Sequence, residues 1–83
     1  MFYVYLLYSD TTEKWYLGST KNLKRRMTQH NSGLVHSTAP GIPWRLMYYE
    51  AFVNDHAARI RESKLKAHGK GLAELKKRIT IAD

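Results

Sequence analysis

Hydrophobic positions along the chain fall into short runs that are separated by polar turns. The run at 2–8, FYVYLLY, is aromatic and branched and is followed by polar SDTTEK, which predicts a strand with both faces partly covered. KWYLGS at 14–19 follows that turn and predicts its hairpin partner. WRLMYYEAFV at 44–53 predicts a third strand.

The segment from Lys21 to about Asn31 predicts the first helix. Ser19 or Thr20 is the expected N-cap, and Gly33 suits the left-handed position just after the helix. Residues 33–43 contain two glycines and two prolines, which predicts an irregular loop.

A second helix is predicted from a cap at Asn54 or Asp55 through about Ala67, where the GKG at 69–71 interrupts it. Apolar residues at i, i+3 and i+7 then mark a short last helix: Leu72, Leu75 and Ile79. The order ββαβαα predicts an α+β fold, in which a small three-stranded antiparallel sheet is flanked by helices.

Composition adds a size class and a partner class. The 83 residues predict one domain, 1–83, with a modest core. Without cysteine, a disulfide framework and a thiolate metal site are excluded. No apolar run of about 18 residues and no leader pattern is present, so we expect a cytoplasmic protein with no membrane partner. The net charge of +7 makes a polyanion such as DNA the expected partner.

The first predicted helix carries polar residues on its apolar side. At about 100° per residue, Leu23, Arg26, Met27 and His30 share one stripe, whereas Arg25 lies on a neighbouring polar side. A guanidinium keeps its proton, so an inward Arg26 needs a carboxylate, a phosphate or a cleft.

The second predicted helix has the same feature, because Glu62 shares a face with Ala58 and Leu65. One explanation is a structural salt bridge between Arg26 and Glu62 that ties the two helices together. The other is a shared polar cleft, in which the carboxylate holds a hard divalent cation and the arginine binds phosphate oxygens. The pattern alone leaves both open.

Two tyrosines lie on the paired strands, Tyr5 and Tyr16, eleven residues apart. A strand tyrosine ordinarily packs in the core or at its rim. Near an inward arginine, however, a phenol hydroxyl can approach the ionised form and take a proton from water. Gly18 would leave room for a backbone or a phosphate to approach.

The remaining polar and aromatic candidates have ordinary interpretations. Trp15 and Trp44 are predicted as core anchors, and Glu50 as one partner of a cross-strand ion pair. Three histidines lack metal-ligand spacing and are expected at the surface: His36, His56 and His68. Four basic residues are predicted to contact phosphates: Lys21, Lys24, Arg25 and Lys64.

The ordered set Tyr3-Val4-Tyr5, Tyr16-Leu17-Gly18, Arg26, His30 and Glu62 resembles the GIY-YIG endonuclease family. Tyr3 replaces the glycine of the first motif, as in the small stand-alone bacterial members, and RLMYYEAF…AARIRESKLK is similar to that subgroup. The resemblance runs from Tyr3 to about Ile79, and the spacing of the arginine and histidine after the second motif makes it specific.

The resemblance implies a ββαβα core that cleaves phosphodiester bonds with one divalent metal ion, Mg²⁺ or Mn²⁺. It implies that Tyr16 activates water, that Tyr5 supports it by hydrogen bonding, and that Arg26 stabilises charge on the phosphate. It also implies that His30 assists proton handling and that Glu62 is the metal ligand. Phosphodiester hydrolysis needs these same functions.

The function expected from the sequence is a metal-dependent DNA endonuclease, monomeric and largely indifferent to DNA sequence. The alternative is a DNA-binding or partner-dependent repair or recombination module with little activity of its own. A purely basic ribosome-associated protein does not explain inward Arg26 and Glu62. The sequence leaves open whether the DNA is single-stranded, duplex or branched, and whether a protein partner supplies targeting.

Overall fold

The computed structural model describes residues 1–67 and 69–80. Its elements follow in the order β1 (Phe2–Ser9), β2 (Lys14–Thr20), α1 (Leu23–Asn31), a 3₁₀ helix (His36–Gly41), β3 (Trp44–Phe52), α2 (Asp55–Ala67) and α3 (Gly69–Thr80). The predicted order ββαβαα and the α+β fold class are confirmed. None of the helices in this described part has the length and apolarity that crossing a bilayer requires.

Strand β1 is the centre of a three-stranded antiparallel sheet with the order β2-β1-β3. Tyr5 lies opposite Gly18 of β2 and opposite Tyr49 of β3. The pairing with β3 is irregular at one point, because Leu6 pairs with Tyr48 but Leu7 pairs with Leu46. Met47 is therefore the extra residue of a β-bulge.

Helices cover both faces of the sheet, so the core has two halves. On the α2 face, side chains of β1 and β2 pack with side chains of α2 and α3 in one cluster: Val4, Leu6, Leu17, Ala58, Leu65 and Leu75. This arrangement accounts for the nearly continuous apolar run of β1, because a central strand covered on both sides has no polar face.

The α1 face holds the second half of the core, which is formed by Tyr5, Leu7 and Trp44 with flanking side chains of α1. Trp44 is 7% exposed, which confirms it as a core anchor. Trp15 packs at the rim of the α2-face core.

Helix α1 begins later than the sequence predicts. Its N-cap is Asn22, whose side chain accepts a hydrogen bond from the backbone N–H of Arg25 at 3.0 Å. The prediction of Ser19 or Thr20 was wrong because β2 continues through Thr20 and keeps both residues in the sheet. The end is as predicted: Gly33 has φ +82°, and the backbone N–H of Leu34 bonds to the carbonyl of Gln29, as in a Schellman motif.

Helix α2 is capped by Asn54, whose side chain accepts from the backbone N–H of Ala57. It ends at Ala67, as predicted. The prediction that residues 69–71 lie outside helical structure, with the last helix starting at Leu72, was wrong. Helix α3 already begins at Gly69, because a glycine inside a helix costs only about 1 kcal/mol, which the packing of the following apolar residues can offset. The predicted irregular loop also contains the 3₁₀ helix, in which Thr38 is buried.

Glu50 forms an ion pair, but not across the sheet. Its two carboxylate oxygens accept from Nε and Nη2 of Arg61 on α2, at 2.8 and 2.9 Å, and Tyr48 also donates to it. The cross-strand prediction was wrong because Glu50 lies on the α2 face, where a helix side chain reaches it. The Arg61 hydrogen bonds hold the pKa of Glu50 below its ordinary value.

Candidate active site

Tyr5 lies at the middle of the central strand and is 1% exposed. Its ring packs directly over Gly18, where a Cβ would lie 2.6 Å from the phenol oxygen and 3.0 Å from Cε2 of Tyr16. The lack of a side chain at residue 18 therefore makes room for the two tyrosines. The sequence had suggested room for a phosphate or a backbone instead.

His30 is fully buried, at 0% exposure, and both of its ring nitrogens have partners. Nε2 lies 2.8 Å from the Tyr5 hydroxyl, and Nδ1 lies 2.9 Å from Oγ1 of Thr38. The inward direction that the helix period predicts is thus confirmed.

The Thr38 hydroxyl determines which nitrogen of His30 carries the proton. Thr38 has one hydroxyl hydrogen, and this hydrogen is donated to the Val35 carbonyl at 3.2 Å. With the hydrogen assigned to that carbonyl, Oγ1 accepts from Nδ1–H of His30, and Nε2 is left as the acceptor for the Tyr5 hydroxyl. The Tyr5 proton therefore points into the protein, and the lone pairs of the Tyr5 oxygen stay free to accept another hydrogen bond.

Burial keeps this pair neutral. Burial, and then the positive charge of Arg26, lower the pKa of His30. Burial also raises the pKa of Tyr5, an effect that the adjacent Arg26 guanidinium partly offsets. At neutral pH a protonated Tyr5 donates to a neutral His30.

Arg26 lies half-buried on α1 beside the Tyr5 hydroxyl, and this hydroxyl raises the pKa of the guanidinium. Its Nη1 donates to Oε1 of Gln29 at 3.0 Å. Arg26 also lines a cavity of about 280 Å³ whose lining is polar or basic throughout: Ser19, Thr20, Lys21, Asn22, Arg25, Arg26 and Gln29. Because no acidic residue among the described ones lines it, this Arg26 cavity is suited to an anion.

Tyr16 lies half-buried on the same face of the sheet, next to His30 and Tyr5. Its ring centroid is 5.0 Å from that of His30 in an edge contact, and 6.3 Å from that of Tyr5. Three rings from two strands and one helix therefore support one another beside Arg26.

Glu62 approaches β2 from the α2 face. Its Oε1 accepts from the hydroxyl of Ser19 at 2.7 Å, and its Oε2 lies 2.9 Å from Nζ of Lys66. Burial alone would raise the pKa of Glu62, but the hydrogen bonds from Ser19 and Lys66 bring it below its ordinary value. The carboxylate is therefore ionised at neutral pH and has a fixed orientation.

Arg26 and Glu62 do not form the structural salt bridge that the sequence left open. Within residues 1–67 and 69–80, Arg26 bonds to Gln29, and Glu62 bonds to Ser19 and Lys66. The residues that the other explanation placed in one cleft fall into two parts: Arg26 and the tyrosines lie on the α1 face, and Glu62 lies on the α2 face. The two parts meet at the edge strand β2, where Ser19 lines the Arg26 cavity and also holds Glu62.

The site offers a divalent metal ion one candidate carboxylate ligand, that of Glu62. The described residues contain no group of three or more acidic, histidine or cysteine side chains that could hold a metal ion. Mg²⁺ commonly binds through one or two carboxylates and takes its other ligands from water and substrate phosphates. An ionised and oriented Glu62 fits a metal held in that way.

The predicted phosphate contacts fall into two places. Lys21, Lys24 and Arg25 are exposed around the start of α1, whereas Lys64 is exposed on α2, which packs on the opposite face of the sheet. The structure thus brings three of the four together. Of the remaining histidines, His36 and His56 are exposed as expected, and His68 lies outside the described residues.

Sequence reasoning missed three residues that hold the site: Ser19, Gln29 and Thr38. Ser19 directly follows the second motif, so its position could have indicated a role. Gln29 and Thr38 carry no motif, and Thr38 belongs to a segment without a regular period.

Comparisons with known proteins agree with this architecture. The family model of the GIY-YIG catalytic domain matches residues 1–77. A UPF0213 protein of Pediococcus acidilactici is 43% identical over 65 residues, which are 74% of this chain and 64% of that relative, just under two thirds of its length. A UPF0213 protein of Natronomonas pharaonis is 35% identical over 82 residues, 98% of this chain and 91% of the relative.

The solution NMR structure of a UPF0213 protein from Bacillus halodurans superimposes with a TM-score of 0.58 at 29% identity, over 96% of this chain and 86% of that one. The fold is therefore shared with a solved structure as well as with sequence relatives. The chain belongs to the GIY-YIG catalytic-domain family, whose members are usually nucleases.

Proposed function

We propose that this chain is a metal-dependent endonuclease that hydrolyses phosphodiester bonds in DNA. The observation that carries the proposal is the position of Arg26. Its guanidinium lines a cavity of polar and basic residues, beside the Tyr5 hydroxyl, and has no carboxylate partner among the described residues. A charge held in this way is suited to a phosphate.

Each step of the hydrolysis has a candidate residue. Arg26 stabilises the negative charge that grows on the phosphate oxygens. Tyr5 donates its proton to His30, so its oxygen can accept from Arg26 and fix the direction of the guanidinium. Tyr16, which is only half-buried, takes the proton of the attacking water in its phenolate form, and the phenol that results returns this proton to solvent. In this scheme His30 has no contact with solvent and acts by orienting Tyr5.

Glu62 would hold one Mg²⁺ or Mn²⁺ ion, with Ser19 fixing the direction of its carboxylate. When bound, such an ion would polarise the phosphate and stabilise the leaving oxygen. A single protein carboxylate predicts weak metal affinity in the absence of DNA, because the other ligands come from water and substrate.

Lys21, Lys24 and Arg25 would contact the DNA backbone around the start of α1, and Lys64 would add charge from α2. Such contacts carry no sequence information and release counterions, so binding should be largely independent of sequence and weaken with salt. We propose that the protein acts on DNA as a monomer and does not bind a membrane. The proposal allows for a protein partner that directs it to its DNA.

The test is cleavage of single-stranded, duplex, flapped and branched DNA with Mg²⁺ or Mn²⁺. Tyr16→Phe should lose at least about 100-fold in single-turnover rate, as expected for a general base, and still bind DNA. Tyr8→Phe is the matched control, because Tyr8 lies on the α2 face against Trp15, away from the proposed site. This variant should cut DNA at the wild-type rate. Wild-type protein that binds these DNAs but cuts none of them would contradict the proposal and favour a DNA-binding module.

A further inference from the structure

A second cavity on the α1 face is not used by the proposed hydrolysis. It is an open groove of about 630 Å³ between α1 and strands β1 and β3, within the size range of ligand sites. Its floor is apolar and aromatic, with Tyr3, Leu46 and Tyr49 from the sheet and Met27 from α1. We call this cavity the Tyr49 groove.

The two tyrosines of the groove form a partly exposed aromatic surface. Their ring centroids are 5.9 Å apart with an interplanar angle of 64°, an edge contact that favours this orientation of the two rings. Tyr49 is nevertheless 52% exposed, and neighbouring Leu46 is 39% exposed. An aromatic ring that has one edge contact and stays half exposed has a surface on which another planar group can stack.

Charge indicates which planar group this is. Lys21 and Lys24 lie at the rim of the groove, and no acidic side chain of the described residues lines it. An apolar aromatic floor with a cationic rim matches a nucleotide, whose base is planar and whose phosphate is anionic.

The groove is adjacent to the Arg26 cavity. Lys21 and Asn22 line both of them. A nucleic acid strand with one phosphate at Arg26 would therefore pass Lys21 and bring a neighbouring nucleotide to Tyr49.

We infer that the Tyr49 groove binds a nucleobase of the nucleotide next to the phosphate that is cut, stacked on Tyr49 with its phosphate at Lys21 and Lys24. The inference rests on the proposed function in one respect, because it takes the phosphate at Arg26 as the one that is cut. It adds a base-contacting subsite to a site that otherwise contacts only the backbone.

The experiment measures binding of a short DNA oligonucleotide to the full chain in EDTA, so that no cutting occurs. One set of oligonucleotides carries a single abasic position that is moved along the strand, and another carries 2-aminopurine as a fluorescent reporter of stacking. Tyr49→Leu keeps an apolar side chain without a ring, and Tyr49→Phe keeps the ring without the hydroxyl. Thermal unfolding of each variant checks that the fold is intact.

Stacking predicts that Tyr49→Leu binds about 5- to 150-fold more weakly than wild type, whereas Tyr49→Phe binds equally well. It also predicts that one abasic position weakens wild-type binding but not the binding of Tyr49→Leu, and that 2-aminopurine there is quenched only by proteins with the ring. Equal binding by Tyr49→Leu, or equal losses in both variants, would overturn the inference. Unchanged DNA binding with a loss of self-association in Tyr49→Leu would assign the groove to a protein contact and also overturn it.

Cleavage assays keep this inference separate from the proposed function. If wild type cuts DNA while the ring and the abasic position have no effect on binding, the groove inference fails and the nuclease stands. If the ring controls binding but no DNA is cut, the nuclease proposal fails and the base-binding groove stands.

Discussion

Thr38→Val tests the hydrogen-bond chain that orients Tyr5. Thr38 is 2% exposed, and its hydroxyl accepts from His30 and donates to the Val35 carbonyl. Valine has nearly the same shape but neither hydrogen-bonding function, so Nδ1–H of His30 would be left without its partner in the core. A buried donor without a partner costs about 1–3 kcal/mol, and we expect the free energy of unfolding to fall by about 2 kcal/mol.

Thr38→Ser is the matched control, because it keeps the hydroxyl and removes one methyl group. We expect it to lose about 1 kcal/mol and to keep the proton of His30 on Nδ1. Urea unfolding gives the stabilities, and ¹⁵N NMR of the imidazole ring reports which nitrogen is protonated. In Thr38→Val the proton should move in part to Nε2, since Nδ1 no longer has an acceptor.

A tautomer that is unchanged in Thr38→Val would refute the assignment of Thr38 as the residue that orients His30. Equal stability of the serine and valine variants would refute the hydrogen bond itself. Cleavage gives a further readout: if Tyr5 directs Arg26, Thr38→Val should cut more slowly than Thr38→Ser at equal DNA affinity.

Three other substitutions test separate parts of the structure. Gly18→Ala places a Cβ against the Tyr5 hydroxyl and should cost about 1–3 kcal/mol in urea unfolding; an unchanged midpoint would contradict the packing seen here. Because burial lowers the pKa of His30, the unfolded chain takes up this proton first, so stability should be lost as the pH falls below about 6.5. His30→Gln should make the free energy of unfolding less dependent on pH in this range. An equally steep dependence in the variant would argue against His30 as its source. Glu50→Gln removes the charge of the ion pair and leaves a single oxygen that can accept from Arg61, so it should cost about 1–2 kcal/mol, with less further loss at acid pH; acid unfolding at the wild-type midpoint would count against this ion pair.

The sequence predicted the sheet and the helices because their apolar periods are strong. The aromatic and branched run around Tyr5 predicted a strand covered on both sides, and the spacing of Leu72, Leu75 and Ile79 predicted one helix face. The helix starts were harder, since Ser19, Thr20 and Asn22 are all good caps and only the length of β2 decides among them.

The candidate site was predictable where periodicity applies and not where tertiary contacts decide. The helical period of 3.6 residues placed Arg26 and His30 on the inward side, and the structure confirms this. The same period could not tell which face of the sheet each helix covers, so it did not predict that Arg26 and Glu62 reach β2 from opposite faces. Thr38 was missed because a contact between a helix and a 3₁₀ segment follows no period.

The bulge at Met47 bears on whether the exposed edge of the sheet can pair with a strand of another molecule. Strand β3 is an edge of the sheet, and its outer side has no strand partner among the described residues. An unbroken apolar edge is a template for adding further strands, which is a route to aggregation. The bulge interrupts the regular row of free N–H and C=O groups and strengthens the local twist, while the charges of Arg45 and Glu50 lie on either side of it. The irregularity that brings Trp44 into the α1-face core therefore also makes this edge a poorer template for strand addition.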